Sequence, residues 1–309
     1  MNKFIRSVLF FLLPVFVLGI TAEFLLRHIP NDYSYKNDYL KQHSNEVEVL
    51  CLGSSHAFFG INPQFIHRKS FNAAYVSQSL DYDYAILEKY QWADLKYLVV
   101  PISYFSLYTT LVTGIEAWRV KNYMIYYQLH ASMAPADYAE MLSSRVEVNF
   151  TRLKKYYKKN EPERGCDDLG WRIPYTHEEQ PDLELSGAAA AKRHTHESSP
   201  ATTKIFEENI ASLSKIMAFA REHHIQLLLY TPPAYATYVH HMDKRQWANT
   251  LKVCEDAQKN NPGFFYINFL QDTTFAAADF YDADHVNHFG AEKLTKKIDQ
   301  YITALPANP

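Results

Sequence analysis

Short apolar runs that end in turn residues are the feature that most restricts the fold of this chain. The clearest are residues 47–52, 97–102 and 225–233, and continuous runs of this length are typical of strands buried on both faces of a parallel sheet. We expect the remaining elements at about residues 71–75 and 264–269 for short strands, and 81–90, 205–220, 243–260 and 291–305 for helices. Strands that alternate with helices predict a three-layer α/β fold around a parallel sheet.

The first 29 residues form an apolar segment that is separate from this pattern. Lys3 and Arg6 precede an uncharged run over residues 7–22, and basic residues before such a run keep the amino end in the cytoplasm. We therefore predict a transmembrane anchor that places the rest of the chain on the periplasmic or extracellular face. A cleavable signal peptide is the alternative, although Ile20 stands where cleavage after Ala22 would favour a small residue.

The remainder of the chain divides into a stalk, a folded domain and an insertion. Residues 30–45 are polar and predict a stalk, and residues 46–305 predict the α/β domain. An insertion over about residues 107–203 interrupts the alternation of strands and helices, and we expect it to be mostly helical, with helices near 115–130 and 135–158. The sheet is therefore expected to form from the segments on either side of the insertion.

The charge balance argues against a nucleic-acid partner. The chain carries 31 Lys and Arg against 34 Asp and Glu, a formal net charge of −3, whereas phosphate binding calls for a clustered basic face. The short basic segment at residues 152–159 fits the solvated side of a helix. Trp118 and Trp171 in the insertion are candidates for stacking on sugar rings, with burial as the simpler interpretation.

The cysteines and histidines predict no metal and no cofactor. Cys51 lies inside an apolar run and is expected in the core, whereas Cys166 and Cys254 can pair only in an oxidising compartment. No two cysteines have the spacing of a zinc site. His194 and His196 in the insertion are candidates for binding metal or entering a site, although a solvated loop is the simpler interpretation.

The first apolar run breaks at Gly53 into Ser54, Ser55 and His56. Gly and Ser are ordinary turn residues, and Ser55 can simply cap the helix that follows. Ligands of open parallel sheets bind beyond the carboxyl ends of the strands, however, and these serines lie at such an end. A serine becomes a nucleophile when a histidine oriented by a carboxylate takes its proton. His56 is a poor candidate for that base because adjacent side chains at such a turn usually diverge.

A segment near the carboxyl end, DFYDADHVNHFGAEKLT at residues 279–295, supplies a histidine and carboxylates. Asp282 and His285 are three residues apart on a predicted loop, and this spacing lets the carboxylate reach the near ring nitrogen while the far nitrogen faces outward. A surface ion pair is the alternative. Asp284 and His288 form a rival pair in the same loop. This loop therefore carries the candidate base for a serine nucleophile.

Two blocks of the sequence resemble the first and last blocks of the SGNH (GDSL-like) hydrolase superfamily: Gly53-Ser54-Ser55 after the first strand, and Asp282-x-x-His285 with Asn287 and Gly290 before the last helix. The resemblance covers residues 46–105 and 204–305 and leaves the insertion out. It implies a flavodoxin-like three-layer sandwich. By position, it implies that Ser55 is the nucleophile, His285 the base and Asp282 the acid that orients it.

The middle blocks of this chain depart from the superfamily pattern. Those blocks usually supply a glycine and an asparagine to the oxyanion hole, which binds the charge that develops on the carbonyl oxygen. The positional candidates in this chain are Ala74, Ser77, Ser103 and Tyr104. Further residues expected to line the site are Ser54, His56, Asn72, Asp284, Asn287 and His288.

The layout is most similar to membrane-anchored members of the superfamily, such as the D-alanine transfer proteins of teichoic acid synthesis and exported proteins of polysaccharide O-acetylation. The resemblance implies a serine esterase or O-acyltransferase that acts on acylated cell-envelope or extracellular polysaccharide. The implied partners are an acylated glycan or acyl donor, membrane lipid at the amino-terminal helix, and a membrane-bound acyltransferase. A non-catalytic glycan-binding or scaffold partner in envelope polysaccharide biosynthesis is the alternative.

Overall fold

A computed structural model describes residues 2–129, 134–172 and 182–305. The chain forms two compact units. The helical unit comprises residues 1–38 and 115–165, and the sheet unit comprises residues 39–114 and 166–309.

The sheet unit contains five parallel strands. They are β1 (Val49–Cys51), β2 (Ser70–Asn72), β3 (Tyr97–Pro101), β4 (Gln226–Thr231) and β5 (Phe264–Asn268). Their order in the sheet is β2-β1-β3-β4-β5, and Leu50 of β1 pairs with Phe71 on one side and Leu98 on the other. This is the flavodoxin-like order, in which ligands bind at the switch point between β1 and β3. The predicted three-layer α/β fold is confirmed.

Helices of both units are numbered here along the chain. They are α1 (Asn2–Arg27), α2 (Asp32–His43), α3 (Ser55–Gly60), α4 (Leu80–Lys89), α5 (Val120–Asn122), α6 (Glu140–Ser143), α7 (Val146–Lys159), α8 (Leu183–His194), α9 (Pro200–Glu222), α10 (Ala236–His241), α11 (Lys244–Asn260) and α12 (His288–Ala304). A π-helical turn at Tyr123–Tyr127 continues α5. Single 3₁₀ turns lie at Ser44–Glu46, Pro63–Phe65, Ala117–Arg119, Pro135–Tyr138 and Ala277–Asp279.

The core of the sheet unit explains why its strands are apolar along their whole length. Every residue of β1, β3 and β4 is buried, because helices cover both faces of a parallel sheet. α9 buries Leu213 and Ile216, which recur at helical spacing in the sequence, and α11 buries Cys254. Cys51, Cys166 and Cys254 are all buried, and Cys166 and Cys254 do not form a disulfide.

α1 in the helical unit matches the predicted apolar segment. The span Lys3–Arg27 contains an 18-residue stretch with a mean hydropathy of 2.4 and is long and apolar enough to cross a membrane, although a signal sequence would pass the same test. Most of its large apolar side chains are exposed, including Phe10, Phe11 and Leu18. These side chains therefore need an apolar partner outside the chain.

Residues 30–45 form a helix and a 3₁₀ turn in place of the predicted polar stalk. The composition is polar, but Tyr33 and Leu40 are spaced seven residues apart, which places them on one side of α2, and both are buried. Tyr33 packs edge-to-face on Tyr123 of the helical unit. Tyr39 stacks on Phe71 of the sheet unit. Residues of this segment are therefore integral to the folded units.

The predicted insertion at 107–203 is helical but does not behave as one block. Residues 115–165 belong to the helical unit, whereas the residues from 166 onward belong to the sheet unit. There, α8 packs on α10 through Ala190, Ala191 and Tyr238, which share one buried cluster. The second half of the insertion thus contributes to the fold around the sheet.

Candidate active site

The turn after β1 requires glycine at position 53. Gly53 has a φ of +110°, and a Cβ atom there would lie 2.5 Å from the ring of Pro101 at the end of β3. The Gly53 N–H donates to the buried carboxylate of Asp83, at 2.8 Å. This turn places Ser54 at the N-cap of α3 and Ser55 at its first position, beyond the carboxyl end of β1.

Three residues predicted from the two ends of the sequence lie together here. Ser55 Oγ is 2.8 Å from His285 Nε2. On the other side of the imidazole ring, Nδ1 is 3.0 Å from Asp282 Oδ1 and 3.2 Å from Oδ2. Asp282 Oδ1 also accepts the backbone N–H of His285, at 2.7 Å, so the carboxylate holds both the ring and its backbone. Ser55 and His285 are both partly exposed to solvent.

The late loop has this shape because it folds back on itself before α12. Phe280 and Val286 form an antiparallel bridge on either side of the turn that contains Asp282 and His285. Asn287 then caps α12 by accepting the N–H groups of Phe289 and Gly290, and its amide donates to Ala278 O and Phe280 O. Gly290 lies inside α12, where a Cβ would be 2.2 Å from Asp279 O, so close packing explains this glycine.

The electrostatic surroundings of His285 favour its charged form. Burial by itself would lower its pKa, but the carboxylates of Asp282 and Asp284 outweigh burial and raise the pKa of His285 to about 9, from an ordinary value of 6.5. His285 is therefore mostly protonated at neutral pH, and it loses this proton as the pH rises through about 9.

A second serine, histidine and aspartate lie directly beside the first set. His56 Nδ1 is 2.6 Å from Ser103 Oγ, and His56 Nε2 is 3.7 Å from Asp284 Oδ2. Ser103, His56 and Asp284 are 1%, 6% and 2% exposed. Burial lowers the pKa of His56, more than Asp284 raises it. The imidazole rings of His56 and His285 are 4.8 Å apart between centroids.

Asp284 is surrounded by imidazole nitrogens. Its Oδ2 lies 3.6 Å from His285, 3.7 Å from His56 and 3.8 Å from His194. Burial would raise the pKa of Asp284, but these histidines, His285 first, hold it below its ordinary value. The predicted rival pair does not form among the described residues: the His288 ring lies against that of Phe289 instead, with ring centres 3.9 Å apart and planes tilted by 40°.

Ligand atoms of His56, Asp284 and His285 lie within 4.8 Å of one another, close enough for the three side chains to hold a metal ion. Such an ion would compete for His285, whose two ring nitrogens contact Ser55 and Asp282.

His194 lies in this cluster, and the prediction that it belongs to a solvated loop was wrong. It ends α8, its Nδ1 is 2.9 Å from Tyr238 Oη of α10, and burial lowers its pKa to about 3. His196 is half-buried, and its backbone N–H donates to Gln246. Packing between α8 and α10, which sequence spacing does not reveal, brings His194 to the site.

Two of the predicted candidates for the oxyanion hole, Ala74 and Ser77, follow β2. The Ala74 N–H donates to Asn72 Oδ1 at 3.0 Å. Asn72 in turn donates to Ala57 O and Ile61 O, both at 2.8 Å, so its side chain supports α3 and does not line the site. Ser77 lies in a left-handed turn with φ +58° and is not among the residues that line the cleft.

The two candidates after β3 are also engaged. Ser103 Oγ contacts His56, and the Ser103 N–H donates to Ser106 Oγ at 2.9 Å. Tyr104 is buried with Tyr238, and its hydroxyl contacts Thr195 Oγ1 and accepts the Asp243 N–H, both at 2.8 Å. Its phenol is therefore directed into packing between helices.

Ser55 and His285 lie in a narrow cleft at the surface. Sequence reasoning missed several of its lining residues: Phe59 and Gly60 of α3, Pro232 and Pro233 after β4, and Val286 and Leu294. The two prolines carried a signal, because they directly follow the carboxyl end of a predicted strand. The Ser54 side chain does not line the cleft and is buried.

The two tryptophans have different surroundings. Trp171 is buried, and its indole N–H donates to Phe59 O at 2.7 Å, so it supports the wall of the cleft from behind. Trp118 in the helical unit is 54% exposed, with the Arg119 guanidinium 4.2 Å from its ring centre. Burial, the simpler interpretation, applies only to Trp171.

Comparisons with known proteins add little to this geometry. No protein-family model matches the chain, and no curated protein matches it. Among solved structures, the chain is similar to one described as "a putative platelet activating factor from Streptococcus pneumonia", with 8% identity and a TM-score of 0.46 over 93% of this chain and 99% of that chain. A similarity of this size carries no argument about activity, which has to be drawn from the site.

Proposed function

We propose that this chain is a serine esterase or O-acyltransferase of the SGNH-like type. One observation carries the proposal: His285 bridges Ser55 and Asp282, with Ser55 Oγ at 2.8 Å from one ring nitrogen and Asp282 Oδ1 at 3.0 Å from the other. This is the arrangement in which a histidine can take the proton of a serine while a carboxylate orients the ring.

The reaction would run in two halves. His285 Nε2 takes the Ser55 hydroxyl proton as Oγ bonds to the carbonyl carbon of an acyl ester, and the ester C–O bond then breaks as the leaving alkoxide receives that proton from His285. The acyl group is left on Ser55. In the second half, water or a sugar hydroxyl gives its proton to His285 and attacks the acyl-enzyme, which releases the acid or a new ester and restores the Ser55 hydroxyl.

The developing oxyanion would bind first to the Ser55 N–H. Ser55 is the first residue of α3, and the N–H groups of a first helical turn have no acceptor within their helix. The Ala74 N–H could act as a second donor only after breaking its hydrogen bond to Asn72. The Ser103 hydroxyl could do so only after breaking its contact with His56.

The substrate class follows from the resemblance and from α1. An apolar helix able to cross a membrane favours an exported domain, and the membrane-anchored SGNH-like proteins that the sequence resembles act on envelope polymers. We infer an O-acylated cell-envelope or extracellular polysaccharide as donor or acceptor, and a membrane-bound acyltransferase as a partner.

A fluorophosphonate probe tests the proposal on the full-length protein in detergent. We expect one covalent adduct, located at Ser55 by mass spectrometry, because only an activated serine displaces the leaving group of such a probe. Ser55→Ala and His285→Ala should lose the adduct. Ser54→Ala is the matched control and should keep it, since Ser54 Oγ is buried and does not line the cleft.

A folded protein that gives no adduct, or an adduct at another serine, would contradict this assignment. The absence of any adduct would favour the glycan-binding or scaffold alternative. That alternative further requires glycan binding to survive the triple change of Ser55, Asp282 and His285.

A further inference from the structure

α7 in the helical unit carries exposed apolar side chains along one side. Val146, Phe150 and Tyr157 are 72%, 67% and 48% exposed. They are four and seven residues apart, so they project within roughly 40° of one another around the helix axis. These three residues are called the apolar stripe below. The buried side of α7, which includes Asn149, lies next to the stripe, so the stripe is not part of the core.

The apolar stripe lies on the side of α7 that faces the end of α1. The Tyr157 hydroxyl, which belongs to the stripe, donates to Leu25 O of α1 at 3.1 Å. Phe150 and Val146 project from the same side, about two and three turns closer to the start of α7. The stripe therefore continues the apolar surface of α1.

A second set of contacts ties α1 to α6, which precedes α7. The Glu23 carboxylate accepts the first two N–H groups of α6, from Glu140 at 3.1 Å and Met141 at 2.8 Å. Arg27 bonds both Glu23 and Tyr138 O. The junction between α6 and α7 is thereby held at the level of residues 23–27.

That level is the end of the uncharged part of α1. Glu23 is the first charged residue after the run over residues 7–22, and a helix rises ~1.5 Å per residue, so Leu25 lies within about one turn of the end of that run. In a membrane, a position just beyond an apolar run corresponds to the headgroup and interfacial region.

Buried charges make the arrangement of α6 and α7 rigid. The Glu140 carboxylate is fully buried and bonds Lys121 at 2.7 Å, Arg152 of α7 at 2.6 Å and the Tyr126 hydroxyl at 2.7 Å. Removing one partner of such a network strands a buried charge, so the network resists reorientation of α7.

Beyond the stripe, the exposed surface of α7 is basic in its second half, whereas its first half also exposes Glu147, Val148 and Thr151. Lys154, Lys155, Lys158 and Lys159 lie in its second half, and Arg145 precedes it. An apolar stripe beside lysines is the pattern of a helix that lies in a membrane interface, where lysines meet anionic headgroups.

We propose that the apolar stripe of α7 inserts into the interfacial region of the same membrane that α1 enters. Lipid is the occupant, because the stripe is continuous with the lipid-facing surface of α1 and is flanked by lysines. The proposal rests on α1 being retained as a membrane span. The helical unit would then contact the membrane at two places, α1 and the apolar stripe of α7.

The test uses full-length protein in vesicles of phosphatidylcholine and phosphatidylglycerol, with and without brominated acyl chains. An environment-sensitive fluorophore is attached to Phe150→Cys. Lys155→Cys, which projects from a different side of α7, is the matched control, and Phe10→Cys reports whether α1 has inserted. Labelling is site-specific because Cys51, Cys166 and Cys254 are buried.

We expect the fluorophore at positions 10 and 150 to be blue-shifted and quenched by brominated lipid, and the fluorophore at 155 to be neither. Quenching at 10 without quenching at 150 would overturn the proposal and leave the anchor intact. Equal quenching at 150 and 155 would also overturn it, because the stripe would not be the inserted side. No quenching at 10 would overturn the anchor itself and this proposal with it. Fluorophosphonate labelling of Ser55 in the same samples reports separately on the proposed catalysis.

Discussion

Two sets of serine, histidine and aspartate lie side by side in the described part of this protein, and they differ in their access to solvent. Ser55, His285 and Asp282 form the open set, and Ser103, His56 and Asp284 form the closed set. In the open set the serine and the histidine are partly exposed on a cleft, whereas every member of the closed set is buried.

The difference lies in geometry and charge, since the residue types are the same. Asp282 is 3.0 Å from its histidine, whereas Asp284 is 3.7 Å from His56. The pKa of His285 is raised because the contact with Asp282, together with the charge of Asp284, outweighs burial. The pKa of His56 is lowered because burial, together with the charge of His285, outweighs the carboxylates of Asp284 and Asp282. The comparison teaches that a serine, histidine and aspartate near one another are insufficient evidence of catalysis: access and the distance to the carboxylate decide.

The largest expected effect is on the rate of fluorophosphonate labelling, and it should differ between variants of Asp282 and Asp284. Asp282→Asn should slow fluorophosphonate labelling by about 10⁴-fold, because the ring loses the partner that sets its tautomer and orientation. Asp284→Asn should cost less than about 10²-fold, the low end of what a positioned acid–base group contributes, since the Asp282 contact remains. Rate constants of labelling for the two variants at one pH decide this. Equal losses would make Asp284 as important as Asp282 and erase the distinction between the sets.

The pH dependence of the labelling rate should be set by His285 of the open set. His285 must be neutral to accept the serine proton, and its folded-state pKa is about 9. The labelling rate should therefore rise about tenfold per pH unit below that value and level off above it. Asp282→Asn removes one of the charges that raise this pKa, so its midpoint should move to lower pH. A labelling rate of the wild-type protein that does not change between pH 6 and pH 9 would contradict the assignment of His285 as the base.

The smallest effect is expected in the closed set and should appear in stability. Ser103→Ala leaves His56 Nδ1 buried without its partner, which costs about 1–3 kcal/mol in the free energy of unfolding. The fluorophosphonate adduct at Ser55 should persist. Urea unfolding measures the change, and Ser214→Ala on the exposed side of α9 is the matched control, with an effect within about 0.5 kcal/mol. Loss of the adduct with unchanged stability would show that Ser103 acts in the reaction.

Much of the open set could be predicted because its parts are local in the sequence. Gly53 and Ser55 mark the end of an apolar run, and Asp282 and His285 are three residues apart on one turn. The patterning of apolar residues also predicted the α/β fold, because a buried parallel strand is recognisable from a few consecutive residues. That Ser55 and His285 meet was inferred from a resemblance between blocks, and the 2.8 Å contact between their side chains agrees with it.

The closed set could not be predicted because its members share no local pattern. Ser103 follows β3, His56 lies in α3 after β1, and Asp284 belongs to the late loop. Their contact therefore depends on the pairing of β1 with β3 and on where the late loop folds. The predictions of a solvated loop at His194 and of a polar stalk at residues 30–45 failed for the same reason. In both cases a polar stretch is buried by packing against elements far away in the chain.

Local chemistry thus sets the strands, the turn at Gly53, the late aspartate and histidine, and the apolar amino-terminal helix, since each depends on residues within one or two turns of one another. Tertiary packing alone decides which serine is exposed, which aspartate reaches His285, and which side of α7 is left apolar and exposed. Burial and distance are properties of the assembled fold, and a side chain acquires its pKa and its access to substrate only there.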